Sequence, residues 1–210
     1  MKAKELRELQ EKVSSKVVVR DDFKLDSLKL VAGFDIAATG NDLFCAGVII
    51  DKDFNIVEQK YSVSKEQFPY IPTMLMFREG PPIFDTFAKF DNRPDLIMVD
   101  GNGILHPSKS GLASYVGVSL NIPAVGVAKK LLCGEVHQGK VYFDNEVRAV
   151  VLYTKQGSNP VFVSPGHRIS VETGAEIVKS LLKPGFKLPE PLRLAHKFSV
   201  RFKKAGLVPE

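Results

Sequence analysis

The chain has 210 residues, 44% hydrophobic and 25% charged, enough for one sizeable core and too little for a multi-domain machine. No run nears the ~18 apolar residues of a membrane span, and Met1 to Val13 reads as a charged amphipathic helix without a signal-peptide core, so a soluble, cytoplasmic protein with no membrane partner is expected. The two cysteines, Cys45 and Cys133, exclude a disulfide framework and a Cys-x-x-Cys zinc site, and a net charge of +5 with a pI of about 9.1 leans mildly toward a polyanionic partner.

After the first helix come three β-rich stretches, Leu30 to Ile36, Leu43 to Asp51 and Ile56 to Val63, separated by the turn residues Gly40, Asn41 and Asp42, then Asp53 and Asn55. Links this short favour antiparallel hairpins, because a parallel crossover needs about a dozen residues or more. The pattern then changes to a helix over Thr73 to Phe90, a short apolar strand Leu96 to Asp100, a helix Leu112 to Leu120 and a buried strand Ala124 to Ala128. Strands are expected at Val147 to Tyr153 and Val161 to Val163, and helices at Glu172 to Leu182 and Glu190 to Lys204. Three antiparallel strands followed by alternating helices and parallel strands is the order of an α/β, ribonuclease H-like mixed sheet flanked by helices. Residues 1–210 are expected to form a single domain of this kind, with an N-terminal helix and a C-terminal basic helix, acting as a monomer.

Two acids stand where such a sheet places ligands. Asp35 lies near the end of the first strand in Gly33-Phe34-Asp35, and Asp100 ends Leu96-Ile97-Met98-Val99. As parallel neighbours ~4.8 Å apart, these strands would bring both carboxylates to one sheet edge, and Glu79 could reach the same point from the helix before them. Two bare carboxylates ~4 Å apart repel by about 4 kcal/mol at an effective dielectric near 20. Such a cluster calls for a cation or a proton, and hard oxygen ligands suit Mg²⁺ or Mn²⁺ better than zinc. For any one acid, ordinary turn chemistry, as in Asp100-Gly101, competes with this reading.

Several segments together resemble endonuclease V. They are Gly33-Phe34-Asp35, Pro69-Tyr70-Ile71-Pro72, Phe77-Arg78-Glu79-Gly80-Pro81, Asp100-Gly101-Asn102-Gly103, His106-Pro107, Gly111-Leu112-Ala113-Ser114, Gly126-Val127-Ala128-Lys129 and Arg193-Leu194-Ala195-His196, in the family's order. The resemblance implies Mg²⁺-dependent hydrolysis of the second phosphodiester 3′ to a hypoxanthine, leaving a 3′-hydroxyl and a 5′-phosphate, with Mn²⁺ as a substitute metal. The partner would be DNA containing deoxyinosine, or RNA containing inosine. Asp35, Glu79 and Asp100 match the metal-site acids, Lys129 the active-site lysine and His196 a histidine near the metal. The segment Pro69, Tyr70, Ile71, Pro72 matches the wedge that fills the gap left by an extruded base, and proline would make that tip rigid. Leu75, Gly101, Gly103, His106, Gly111 and Leu112 fall around the base pocket, where the glycines would let backbone N–H groups approach the 6-oxo group. Phe34, Thr73 and Asn102 depart from the residues common in the family at those places, and Ser164-Pro165-Gly166-His167 looks family-like without a derivable role.

On a helical wheel His196 points away from Leu194, Phe198 and Phe202, which argues against a core histidine. Arg193, Lys197, Arg201 and Lys204 would align in one stripe, the first three suited to phosphate contact. His137 reads as structural or solvent-exposed. Three other readings compete. Another ribonuclease H-like nuclease would share the acids without the wedge. An actin-like sugar kinase, whose phosphate loop Gly33 to Thr39 faintly resembles, would need a second large lobe. A silent nucleic-acid-binding module would bind without cleaving.

Overall fold

A computed structural model describes residues 3–205. Helix α1 spans Ala3–Ser14; Met1 and Lys2 of the expected helix lie outside the described residues. The meander is present as strands β1 (Leu30–Thr39), β2 (Asp42–Asp51) and β3 (Ile56–Lys65), each longer than expected and paired antiparallel. A 3₁₀ turn at Pro72–Met74 then leads into α2 (Leu75–Phe87), followed by β4 (Leu96–Val99), α3 (Leu112–Leu120) and β5 (Ala124–Ala128). The second half comprises β6 (Glu135–His137), β7 (Lys140–Phe143), β8 (Glu146–Leu152), β9 (Val161–His167), α4 (Val171–Ser180) and α5 (Glu190–Ala205).

The strands form one nine-stranded mixed sheet in the order β3-β2-β1-β4-β5-β9-β8-β7-β6. Pairing is parallel for β1/β4 and β4/β5, while β9 returns antiparallel against β5. Helices α2 and α3 cover one face and α4 and α5 the other. Because strand side chains alternate, Ala32, Phe34, Ile97 and Val99 pack under α2 and α3, while Val31, Met98, Val125 and Val127 pack with Leu192 and Leu194 of α5.

The main departures from expectation have physical causes. Strand β1 continues to Thr39, so Asp35 lies within the strand, at the point where its neighbour β4 stops. Helix α2 is shorter than Thr73 to Phe90, its first turn being 3₁₀, and it carries Pro81 and Pro82, whose missing N–H groups leave the carbonyls of Phe77 and Arg78 without their helical donors. Strand β9 runs through Ser164-Pro165-Gly166 to His167, beyond the expected end at Val163; a register shift between Ala124 and Val125 absorbs the extra residue. The β6–β7 hairpin was not expected. Its strands are short and mostly exposed, and it turns at Gln138 and Gly139, both at positive φ.

One contact seats α5. A Cβ at Gly33 would lie 2.4 Å from the backbone of Pro191, in the first turn of α5, so only glycine lets this helix reach the sheet next to Asp35. Both cysteines are free, Cys45 buried and Cys133 half-buried. Among the described residues no helix is long and apolar enough to cross a membrane. We expect Gly33→Ala to destabilise the fold by about 1–3 kcal/mol through overpacking, measured as a lower denaturant midpoint. A wild-type midpoint would show that the contact relaxes freely.

Candidate active site

The sheet delivers three of the expected side chains by the same rule. Asp35 follows Val31 and Gly33 on one face of β1; Asp100 continues the alternation of Leu96 and Met98 one step past β4; Lys129 continues that of Val125 and Val127 one step past β5. With Phe34 paired to Val99, and Val99 to Gly126, the three emerge side by side. Glu79 arrives from α2, where Gly80 gives up its side-chain space to the ring of Tyr115. Asp35, Glu79, Asp100 and Lys129 all line one cleft of about 530 Å³, together with Tyr70, Pro72, Leu75 and Gly101.

Each acid has a different way of tolerating its neighbours. Asp35 is only 6% exposed, and its Oδ2 accepts hydrogen bonds from Ser199 Oγ and from His196 Nδ1 at 3.3 Å. Asp100 is paired with the Lys129 ammonium, yet burial still raises its pKa, with Asp35 adding to the rise and Lys129 opposing it. Burial pushes Glu79 up to about 8, helped by the charges of Asp100 and Asp35 against Arg78 and Lys129. No side-chain hydrogen bond reaches the Glu79 carboxyl among the described residues, nor do three or more His, Cys, Asp or Glu form a ready-made metal cage there. The donors are nonetheless hard oxygens, and the raised values at Glu79 and Asp100 mark a place that favours added positive charge.

Tyr70 is 62% exposed at the lip of the cleft, with the Arg78 guanidinium over its ring at 5.7 Å and Arg78 held by Glu66 at 2.7 Å. The segment behind it is pinned at the Thr73 carbonyl, which accepts from Gln10 Nε2 of α1 at 2.6 Å and from His106 Nε2 at 2.9 Å. His106 Nδ1 in turn accepts from the Ser108 N–H at 3.1 Å, so both ring nitrogens are engaged and the residue is an anchor for the lip. Because the anchor on the chain at Thr73 is a backbone carbonyl, the identity of that side chain does not affect it.

The pocket glycines divide. A Cβ at Gly103 would meet Pro165 O at 2.0 Å and one at Gly111 would meet Asn102 O at 2.2 Å. The Gly103 N–H is taken by Ser164 Oγ at 2.8 Å and that of Gly111 by Gly103 O at 3.1 Å. Their glycine requirement is therefore met by the protein's own backbone, and Gly101 alone of the three lines the cleft. The same contacts give Ser164-Pro165-Gly166-His167 a purpose, since Pro165 O also accepts from Ile104 N at 2.8 Å and His167 Nδ1 accepts from Val18 N at 3.3 Å.

On α5, His196 is half-exposed beside Asp35, as the helical wheel requires. Arg193 differs from expectation. It is tied to Glu190 by bonds of 2.6 and 2.7 Å and lies 4.5 Å from the ring of Phe186, so it braces the helix start, while Lys197 and Arg201 remain exposed. His137 is exposed on β6. Sequence reasoning missed Ser199, which its three-residue spacing from His196 could have flagged. It also missed Lys130, Leu131 and Leu132 in the cleft wall and Gln10 behind the lip, for which spacing gives no signal.

The family model for endonuclease V matches residues 11–197. The chain belongs to the endonuclease V family. It is 39% identical over 199 residues to the endonuclease V of Thermofilum pendens, covering 92% of this chain and 86% of that protein. It is 41% identical over 203 residues to that of Dictyoglomus thermophilum, covering 91% and 86%. Among solved structures, the Bacillus subtilis endonuclease V superposes with a TM-score of 0.90 at 26% identity, covering 98% of this chain and 94% of that one. A Ciona intestinalis endonuclease V in complex with a 24mer DNA containing an inosine followed by a ribo-adenosine gives 0.87 at 29% identity, covering 97% and 98%. As an endonuclease, the protein is a hydrolase of phosphodiester bonds.

Two expectations follow. Ser199→Ala leaves Asp35 with His196 as its remaining side-chain partner, and cleavage should fall by about 10–100-fold with the melting curve retained; unchanged cleavage would remove Ser199 from the site. Burial lowers His106 below its ordinary 6.5, against the pull of the Thr73 carbonyl, so the stability it contributes is full above that pH and is lost as pH falls through the folded value. Melting temperature should therefore decline on acidification, and less steeply in His106→Leu. His167, lowered by burial and by Arg168, adds to the slope in the same sense.

Proposed function

We propose that this endonuclease cuts nucleic acid beside deaminated adenine, hydrolysing the second phosphodiester 3′ to a hypoxanthine and leaving a 3′-hydroxyl and a 5′-phosphate. The observation that carries the reading is the convergence of Asp35, Glu79, Asp100 and Lys129 in one cleft whose lip holds the exposed, braced Tyr70. The inosine-containing DNA held by the Ciona intestinalis relative supports the choice of lesion.

Asp35, Glu79 and Asp100 would hold Mg²⁺, with Mn²⁺ a substitute. When bound, that ion activates a water and offsets charge developing on the phosphate. Lys129, free to leave Asp100 once other positive charge is present, stabilises the scissile phosphate as a point charge. With Nδ1–H directed to Asp35, His196 keeps its lone pair at Nε2, where it can accept a proton from the attacking water. Tyr70 wedges into the stack while the base turns out, at a cost of a few kcal/mol that is smaller for a poorly paired base.

The reading is tested by mapping cut positions and end groups on matched DNA and RNA strands carrying one inosine, with Mg²⁺ and with a chelator. Asp35→Ala and Asp100→Ala should abolish the Mg²⁺-dependent cut while the fold and much of the lesion binding persist; full activity in either would refute their role. Tyr70→Ala should reduce the preference for inosine strands more than it reduces nonspecific binding. Replacing Lys197 and Arg201 together by alanine should lower the slope of log affinity against log salt by about 1–2, and an identical slope would mean that this stripe touches no phosphate.

A further inference from the structure

Three stretches of the chain meet at the end of the sheet where Lys129 emerges, and none of them contains an acid. No Asp or Glu occurs from Gly101 to Gly134, from Val147 to Val171 or from Ile177 to Pro189. The strand pairing brings the first two together. Ala128, in the cleft wall, is paired with Phe162, and Phe162 with Val151, so β8 ends two strand spacings from the cleft, ~10 Å away. Tyr153 is the first residue past that end. The third stretch joins through the hydrogen bond that Thr154 Oγ1 donates to Lys187 O at 2.6 Å. Lys130, Lys155 and Lys187 are thus gathered along one edge, and none of them has an ion-pair partner among the described residues.

Tyr153 itself is 78% exposed, more than any other large apolar or aromatic side chain described. Each of the other four tyrosines has a ring partner. Tyr61 stacks on Phe202, Tyr70 has the Arg78 guanidinium, Tyr115 meets Phe84 and Tyr142 meets His137. The Tyr153 ring has no such contact, and its hydroxyl no hydrogen bond, among the described residues. A lone exposed ring needs no explanation, but this one stands on a fixed base. Beside the Thr154 bond, Ser158 donates to Lys155 O from both N and Oγ, at 3.2 and 2.9 Å. The backbone is held while the ring is left open to solvent.

An edge of one sign of charge attracts a polyanion, and a ring set among ammonium groups fits a chain in which flat bases alternate with phosphates. We propose that Tyr153 is a stacking platform for an unpaired base of the substrate strand where that strand leaves the cleft, with Lys130, Lys155 and Lys187 on the neighbouring phosphates. The platform carries no sequence preference, since every base has a π-face. The inference rests on the cleft of the proposed function being the place where the strand is cut, and is independent of which base is damaged.

The test is the affinity of the full chain, in chelator, for labelled single DNA strands carrying inosine or adenosine at one position. Each is compared as a short strand and as the same strand lengthened on its 5′ or its 3′ side. Wild type should gain affinity on lengthening one side. Tyr153→Ala should bind that longer strand about tenfold more weakly, with inosine and adenosine alike, and bind the short strand as wild type does. Tyr153→Phe, which keeps the ring, should match wild type throughout. Lys155→Ala should lower the slope of log affinity against log salt on the longer strand by about 0.7, and an unchanged slope overturns the part given to that lysine. Wild-type binding of every strand by Tyr153→Ala overturns the platform and leaves the ring to a partner other than nucleic acid. A loss confined to inosine strands overturns it as well, because the ring would then belong to lesion reading. A wild type that binds both bases equally, with the Tyr153 loss intact, overturns the hypoxanthine reading and leaves the platform standing.

Discussion

Carboxylates gathered in a half-buried cleft repel one another, and the surrounding structure can be read as the means of holding them there. The backbone hydrogen bonds of β1, β4 and β5 fix where Asp35, Asp100 and Lys129 emerge, because strand alternation leaves no freedom once the register is set. Each acid then has its own compensation. Asp100 has the Lys129 ammonium, Asp35 has two donors from α5, and Glu79 has a pKa of about 8 that lets it keep a proton near neutrality. The repulsion is thus divided among a counter-ion, hydrogen bonds and protonation. A dication held by these acids would replace the first and third of these together.

The specificity elements rest on a second constraint, the close approach of backbone to backbone. Gly103 lies against Pro165, Gly111 against Asn102, Gly126 against Gly101 and Gly166 against Ala113. These contacts bind the loop from Asp100 to Gly111 to β5, β9 and α3, so the cleft floor moves with the sheet. The lip is fixed to the same body through His106 and, from the other side, through Gln10. If Tyr70 enters the stack as proposed, a lip that is rigid before contact loses little conformational entropy on doing so.

Much of this was legible in the sequence where local pattern and physical cause coincide. The meander, the apolar strand ending in Asp100, the strand before Lys129 and the outward-facing His196 all follow from periodicity. What remained hidden depends on contacts distant along the chain. The expected strand stops at Val163 because nothing nearby reveals that the pairing with β5 can shift register to take in Pro165 and Gly166. The glycines of the pocket read as room for a ligand, since sequence does not say whether the atom filling that room belongs to a base or to Pro165. Gln10 is one polar residue on an amphipathic helix until the fold sets it beside Thr73. Arg193 fits a basic stripe by spacing alone, and only Glu190 and Phe186 show that it is already occupied.

Helix α5 joins these constraints. Its start is fixed by Arg193–Glu190 and by the contact of Pro191 with Gly33, two residues before Asp35 on the same face of β1. From there one side of the helix carries His196 and Ser199 to Asp35, while Lys197 and Arg201 stay exposed to solvent. A rigid helix cannot move one set without the other. Phosphate contact along the exposed stripe would therefore be registered at the carboxylate it supports. A glycine in the first strand, which looks in sequence like a spacer before an acid, sets the distance between this helix and Asp35.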